Sequence, residues 1–329
     1  MDEFIILSQQ DLRAAMRFGD YVEAVADGFR LLAEGRCASP VPTQIDVAHG
    51  AFHLKPASLP RGPGYVAVKI NGNFPDNRAR NGLPTIQGAV LLADASNGRP
   101  LALLDSAEIT LQRTGAATAV AARHLARADA RTATICGCGA QAPMQLAALR
   151  HVLDVRRVFA WDIDPTAARA FAAGMAAAET GLVVEPVAEL REATRVSDAI
   201  VTCTPARVPF LGLDDVPAGG FVAAVGADNS AKSEIKPELM ASAIVVVDVV
   251  DQAVVMGDLH HAVAAGAMRA EDVHAELGQV IAGTRPGRRD DDAIIVFDGS
   301  GTGVQDAAAA AVAYEVARQR GLGMRCSLT

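Results

Sequence analysis

Between Ser8 and Gly35 the apolar residues Leu12, Met16, Val22, Val25, Ala26, Phe29 and Leu32 recur at roughly helical spacing, which predicts two helices with Ser8 capping the first. From Pro40 to Gly98 the period shortens. Apolar and polar residues alternate in short runs such as Ala51-Phe52-His53-Leu54 and Tyr65-Val66-Ala67-Val68-Lys69-Ile70, broken by Gly, Pro and Asn, the texture of an antiparallel sheet. An Ala-rich stretch from Ile109 to Ala126 then reads as a long helix. Beyond it, β-branched runs at Thr132–Cys136, Arg157–Trp161, Ala199–Cys203, Phe221–Val225 and Ile244–Asp248 alternate with helical segments. That alternation predicts βαβ units and a parallel sheet. A last strand, Ile294–Asp298, leads through a turn carrying Gly299, Gly301 and Gly303 into an Ala-rich helix from Asp306 to Arg320, which is expected to return to the first domain. The fold class is α/β.

Composition narrows the partners. Half of the 329 residues are hydrophobic and only 4% aromatic, and the formal charge is -8. A polyanion needs a surplus of Lys and Arg on one face, and single-stranded nucleic acid needs aromatic platforms, so no nucleic-acid partner is expected. No apolar run approaches the roughly 18 to 20 residues that span a bilayer, so no membrane association is expected. Five cysteines, Cys37, Cys136, Cys138, Cys203 and Cys326, lack the spacing of a disulfide framework, and Met1-Asp2-Glu3 begins acidic without a signal-peptide pattern. A reducing, cytoplasmic setting is the expectation.

The strand Thr132–Cys136 runs directly into Gly137-Cys138-Gly139-Ala140-Gln141-Ala142 and then a helix with Pro143 in its first turn. This is Gly-x-Gly-x-x-Ala in the strand-turn-helix context that gives the pattern its meaning. Gly137 permits the tight turn, Gly139 lets a pyrophosphate approach the backbone, Ala142 keeps helix and strand close, and the N–H groups around Ala140 and Gln141 open the positive end of the helix. Asp162, 25 positions after Gly137 (162 − 137), ends the second strand. Its carboxylate accepts from ribose hydroxyls and repels a 2′-phosphate, and no Arg or Lys follows before Arg169, so NAD is favoured over NADP. Asp164 competes for this role, and a plain turn residue is the other reading of Asp162. A Rossmann-type dinucleotide domain follows. Cys136 and Cys138 belong one to the strand and one to the phosphate turn, so no metal site is expected there.

Several further segments, in order and spacing, resemble the ornithine cyclodeaminase/mu-crystallin family. They are Lys69-Ile-Asn-Gly-Asn73 with Gly82-Leu-Pro-Thr85; Asp105–Ala116 with Thr110, Arg113 and Thr114; Gly137-x-Gly139-x-Gln141-Ala142; Thr202-Cys-Thr-Pro205; Val225-Gly-Ala-Asp228 with Lys232 and Glu234; and Phe297-Asp298 with Gln305-Asp306. The resemblance covers nearly the whole chain. It implies a Rossmann NAD domain at 119–304 and an α+β substrate-binding and dimerisation domain at 1–118 and 305–329, in a homodimer formed through the first domain's sheet. Hydride transfer between nicotinamide and a nitrogen-bearing carbon is the implied chemistry. The leading reading is an NAD(H)-dependent reductase or dehydrogenase of a small imino or amino acid. The alternatives are a redox-neutral, ammonia-releasing ornithine cyclodeaminase and a non-catalytic small-molecule binder.

The resemblance assigns Lys69 to substrate contact and Asp228 to the proton on the substrate nitrogen. Lys69 ends an apolar strand, where burial lowers an ammonium pKa into the range of proton transfer; the bland alternative is a lysine reaching solvent. Asp228 follows the strand Phe221–Val225, outside the carboxyl ends of a parallel sheet where ligands bind; an Asx-turn is its alternative. Arg113 is placed on the pyrophosphate or the substrate carboxylate, with a solvated helix arginine as the alternative. Thr85, Thr114, Thr202, Thr204 and Val225 are further cofactor contacts by resemblance. One departure bears on the substrate. Where the family carries an arginine for the substrate carboxylate this chain has Gln44, and where it carries Met-Pro-Ala this chain reads Lys55-Pro56-Ala57. A point cation at Lys55 then replaces a planar fork. His53 and Lys55 alternate onto one strand face. Retention of Lys69, Arg113 and Asp228 argues for catalysis over binding alone. The adjacent His260 and His261 read as helix-surface or interface residues, and Asp290–Asp292 as a solvated loop.

Overall fold

The computed structural model describes residues 3–178 and 181–328; residues 1, 2, 179, 180 and 329, including both ends of the expected first domain, lie outside the described residues. The chain opens with β1 (Phe4–Leu7), a strand the helical pattern did not announce, followed by the two expected helices α1 (Gln9–Ala15) and α2 (Phe18–Ala33). Ser8 does cap α1. Its hydroxyl accepts from the Asp11 N–H at 3.3 Å, and the Asp11 carboxylate accepts from the Ser8 N–H at 2.9 Å, a reciprocal cap worth about 1 kcal/mol. Next come β2 (Thr43–Val47), β3 (Gly50–Leu59), β4 (Tyr65–Asn73), α3 (Asn77–Asn81), β5 (Ile86–Asp94) and β6 (Pro100–Asp105). These five strands form an antiparallel meander. β1 pairs with β6 in parallel, a pairing that local alternation could not reveal. α4 (Ser106–Leu125) starts directly at the end of β6, where the Asp105 carboxylate accepts the Glu108 N–H at 2.8 Å.

The middle of the chain supplies β7 (Thr132–Cys136), α5 (Ala142–Val152), β8 (Arg157–Trp161), α6 (Pro165–Ala178), β9 (Val183–Pro186), α7 (Leu190–Thr194), β10 (Ala199–Thr202) and β11 (Phe221–Ala224). It continues through α8 (Pro237–Ser242), β12 (Ile244–Val247), α9 (Val250–Ala253), α10 (Asp258–Ala264), β13 (Ala275–Glu276), α11 (Leu277–Ile281) and β14 (Ile295–Asp298). All eight strands pair in parallel in the order β13-β12-β14-β11-β10-β7-β8-β9. β10, β11 and β14 are buried at every position, as expected of strands covered on both faces. The order reverses between β7 and β10, the switch point outside which doubly wound sheets bind ligands. β9 and β13 were not among the predicted strands; each is too short to show a period.

The chain closes with α12 (Gly303–Arg320) and β15 (Met324–Cys326). Two compact units result: 1–116 with 302–329, and 117–301. In the first, the seven strands run β15-β1-β6-β5-β4-β3-β2. One face, carrying Ala57, Leu59, Tyr65, Ala67, Val90 and Leu92, is buried, and α12 packs on β3, β4 and β5 as well as on α2. α12 is buried on almost every side over its first three turns, which explains why its apolar pattern is Ala-rich and undirected. Glycine allows close approach at both ends of this packing. A Cβ on Gly28 of α2 would stand 3.0 Å from the Ala308 Cβ, and one on Gly303 would stand 2.3 Å from the Pro56 carbonyl oxygen. Gly303→Ala is therefore expected to push α12 off β3 and to lower stability by about 1–3 kcal/mol. An unchanged urea midpoint for that variant would contradict this packing account.

Candidate active site

Lys69 lies on the buried face of β4, a strand well inside the sheet, and is 1% exposed. An ammonium there is tolerable only with an opposite charge within reach. Asp306, in the first turn of α12 and also fully buried, supplies it: the Lys69 Nζ donates to its carboxylate at 2.7 Å. The same carboxylate accepts from the Arg113 Nε at 3.1 Å, and Arg113 Nη1 donates to the Gln305 Oε1 at 2.8 Å. Thr110, one turn before Arg113 on α4, accepts from Lys69 at 3.3 Å. Three distant elements thus fix one charge cluster. Burial, followed by repulsion from Arg113 and Lys55, outweighs the attraction of Asp306 and pushes the Lys69 pKa down to about 7. For Asp306, burial acts to raise the pKa, but Lys69, Arg113 and Lys55 together leave it below the usual carboxylate range.

Lys55 is the direct cross-strand partner of Lys69, on the same face, and is itself buried. Gln44 pairs with His53, also on that face, but it stands exposed on β2, where its Nε2 donates to Asp46 at 2.6 Å. Thr85 is exposed, its carbonyl accepting the Phe74 N–H at 2.8 Å. Thr114 is half-buried on α4 and donates to the Thr110 carbonyl at 2.7 Å. Arg113, far from being a solvated helix arginine, is 6% exposed.

In the second unit, Gly137 ends β7 with φ +94, and a Cβ there would stand 2.8 Å from Thr204 Cγ2 and 3.0 Å from the Cys203 carbonyl oxygen. Only glycine fits. At Gly139 a Cβ would meet nothing within 4 Å, so packing does not require glycine there; the open space is what a close-lying pyrophosphate needs. Ala140 and Gln141 complete the turn, and no side chain caps α5, leaving its positive end for an anion. Asp162 closes the turn from β8: its carboxylate accepts from the Cys138 N–H at 2.7 Å and from the Asp164 N–H at 2.9 Å. Asp164 instead caps Thr166 at 2.8 Å, so its carboxylate is committed to starting α6.

The loops after β10 and β11 are tied by a residue whose role the sequence did not disclose. Glu234 is fully buried, and its carboxylate accepts from Thr202 Oγ1 at 2.8 Å, Thr204 N and Oγ1 at 2.6 and 2.7 Å, and Gly226 N at 2.9 Å. The hydroxyls of Thr202 and Thr204 thus point to Glu234, and these threonines shape the loop through it. Burial pushes the Glu234 pKa up to about 7, with Asp258 adding to the rise and the threonine hydrogen bonds opposing it. Val225 sits beside this clasp, its N–H donating to the Thr202 carbonyl at 2.9 Å. Asp228 is half-exposed and paired with Lys232 at 2.7 Å. His260 and His261 are half-buried, not solvated, each ring hydrogen-bonded to a backbone carbonyl at 3.0 and 2.9 Å. Asp306 and Glu234 are the residues whose positions matter most and whose parts were missed. The signals for Asp306 were its place in the Gln305-Asp306 segment and an acid at the start of an Ala-rich run; Glu234's partners come from separate segments and left no local signal.

With this geometry in view, comparison with known proteins is specific. The model of the ornithine cyclodeaminase/mu-crystallin family matches residues 2–321. The chain is 36% identical to an alanine dehydrogenase of Archaeoglobus fulgidus over 98% of both chains. Among solved structures, an archaeal alanine dehydrogenase dimer with bound NAD superimposes with TM-score 0.94 at 35% identity, covering 99% of this chain and 100% of that one. The Thermococcus litoralis Δ1-pyrroline-2-carboxylate reductase in complex with NADH and L-proline follows with TM-score 0.92 at 32% identity, over 97% and 99%.

Asp306→Asn leaves Lys69 and Arg113 buried without their shared carboxylate, and a loss of about 3–5 kcal/mol is expected in chemical denaturation. Lys69 also sets a pH dependence. Unfolded, it keeps its proton up to its ordinary value of 10.5; folded, it releases it near 7. The unfolded state therefore binds more protons between those values, and stability should rise with pH across that window by up to about 1.4 kcal/mol per unit. Lys69→Met should remove that slope, and a slope unchanged in the variant would refute the assignment.

Proposed function

The chain belongs to the ornithine cyclodeaminase/mu-crystallin family, and from that premise we propose that it catalyses NAD(H)-dependent hydride transfer at the nitrogen-bearing carbon of a small imino or amino acid. The observation that carries this reading is the buried Lys69, held by Asp306, a carboxylate it shares with Arg113, and with a pKa near 7. Three buried charges cost a core more than apolar side chains of the same volume would, and proton transfer near neutral pH calls for a base or acid tuned to that range.

The residues of the second unit fit NAD: the open space at Gly139, the uncapped start of α5 and the Asp162 carboxylate at the end of β8 answer to pyrophosphate and ribose. When bound, NADH supplies the hydride that reduces the carbon of a C=N bond, leaving as NAD⁺. Lys69 holds the proton that goes to the substrate in that direction and takes one back in the other. Thr110 and Asp306 fix where its Nζ points, Arg113 offers charge to a carboxylate, and Asp228, beside Lys232, is a second carboxylate for protons on nitrogen. Thr85, Thr114, Ala140, Gln141 and Val225 are assigned to cofactor contact, Thr202 and Thr204 to shaping the loop through Glu234, and Gln44 to the rim of the substrate face.

The partner assigned is a second copy of this chain. On the uncovered face of the first unit's sheet Ile45, Val47, Phe52, Val66, Ile70 and Leu91 lie 36–51% exposed. An apolar face of that extent on an antiparallel sheet marks an association surface, and the archaeal relative is described as a dimer.

Absorbance at 340 nm tests the function. The protein should consume NADH with imines of 2-oxo acids and produce it from amino acids with NAD⁺. Lys69→Ala should lose turnover by at least about 10²-fold while still binding NAD; activity that survived would sink the mechanism. Reduction should weaken, and oxidation strengthen, as pH rises through about 7. For assembly, sedimentation should show twice the 34.1 kDa chain mass, and Ile70→Asp should return the protein to the single-chain mass. A wild type that sediments at the single-chain mass would count against the dimer.

A further inference from the structure

Beyond β11 the chain makes a closed excursion that carries Asp228 and Lys232 and returns at Glu234. Glu234 is its neck: Oε2 accepts the Gly226 N–H at 2.9 Å, eight positions back. The other oxygen, Oε1, accepts the Thr204 N–H at 2.6 Å, in the segment that packs on the phosphate turn, where a Cβ on Gly137 would stand 2.8 Å from Thr204 Cγ2. The excursion is seated on α10. Asp258, in the first turn of that helix and fully buried, takes the Ser233 hydroxyl at 3.2 Å, the Glu234 N–H at 2.7 Å and the Ile235 N–H at 2.9 Å, all on Oδ1. His261, three positions on and so on the same helix face, donates from Nε2 to the Lys232 carbonyl at 2.9 Å. α10 is itself held to the end of β14, where Asp298 accepts the Leu259 N–H at 2.8 Å. Burial raises the pKa of Glu234, Asp258 and Asp298 alike, and the hydrogen bonds each receives pull the other way.

We propose that Asp258 is a positioning residue for hydride transfer: by seating residues 233–235 it sets the Glu234 clasp, and through that clasp the place of Asp228. This rests on the hydride-transfer reading above, with Asp228 as the carboxylate for protons on nitrogen, and adds the residue that places it. The two buried carboxyls differ in how their oxygens are used. Asp258 gathers its three donors on Oδ1, and its Oδ2 has no hydrogen-bond partner. Asparagine therefore keeps the acceptor and puts its NH2 where no donor stands, beside an Asp298 carboxyl whose Oδ1 also lacks a donor. Glu234 uses both oxygens, and each faces a backbone N–H, Thr204 on Oε1 and Gly226 on Oε2. Glutamine must then turn its NH2 against a donor whichever way it lies. The same change from acid to amide is thus tolerated at one carboxyl and breaks the clasp at the other.

The test reads kcat and KM from NADH consumption with imines of 2-oxo acids, pyruvate plus ammonia and Δ1-pyrroline-2-carboxylate among them. Asp258→Ala should lower kcat on the order of 10- to 10²-fold, the cost of a misplaced reacting group, while the KM for NADH stays within a few-fold. Asp258→Asn should restore kcat to near the wild-type value. Glu234→Gln should lower kcat as well and, because it frees Thr204, raise the KM for NADH. The double variant Glu234→Gln/Asp258→Ala should be no slower than Glu234→Gln alone, since one residue acts through the other. Amide deuterium exchange across residues 226–235, which needs no turnover, should quicken in Asp258→Ala and not in Asp258→Asn; if Asp258→Ala lacks a cooperative melting curve, Asp258→Ser takes its place throughout. A wild-type kcat in Asp258→Ala, an Asn variant as slow as the Ala variant, or losses that multiply in the double variant overturn the proposal. Turnover that Asp228→Asn leaves intact defeats this inference and leaves hydride transfer standing. A wild type that reduces no imine of a 2-oxo acid defeats the hydride-transfer reading instead, and exchange then decides the seat alone: quickened only in Asp258→Ala it supports the role of Asp258, and unchanged it overturns it.

Discussion

The buried ion cluster of Lys69, Asp306 and Arg113 constrains the first unit more than any other interaction. An ammonium on the inner face of a central strand needs a carboxylate within about 4 Å, or its desolvation costs several kcal/mol. That requirement fixes the seating of α12, since Asp306 is in its first turn, and the facing of α4, since Arg113 and Thr110 must turn toward the same point. The close glycine contacts of α12 with β3 and α2 then set how near the helix lies. An alanine-rich helix offers small side chains to this packing, and the charge pair supplies the registry that alanines lack.

The second unit solves a different problem. Its parallel strands are covered on both faces and end in loops whose backbone must be held open toward a ligand. Glu234 does this by accepting four hydrogen bonds from the last residue of β10 and the loops after β10 and β11, while Asp162 restrains the turn after β7. Both use buried or half-buried carboxylates as acceptors for backbone N–H groups that the sheet cannot satisfy. These contacts restrain the turn and the loops from within the protein, which reduces the ordering that a ligand bound there would have to bring about.

The two faces of the antiparallel sheet carry different duties through a period of two. Odd positions of β3 and β4 bring Lys55, Ala57, Ala67 and Lys69 inward; even positions bring Phe52, Val66 and Ile70 outward. A single-residue slip in register would exchange these sets and place the lysines on the apolar outer face. The buried charges and the exposed apolar face are therefore set by the same strands.

Much of this was legible in the chain itself. Local rules depend on neighbours in sequence, so Ser8 as a cap, the alternation of β3 and β4, the strand-turn-helix around Gly137 and Gly139, and Asp162 at the end of its strand could all be read from spacing and residue type. Family resemblance brought Lys69, Arg113 and Asp228 into view as a set. The tertiary structure alone decided what those residues face. It buried Arg113 against Asp306 and Gln305, where the sequence had offered a ligand contact with a solvated helix arginine as the alternative, and turned Thr202 and Thr204 onto Glu234. It paired β1 with β6 and placed Lys55 opposite Lys69. These contacts join residues from 14 to 193 positions apart, and the desolvation that gives them their energy exists only once the intervening elements have packed.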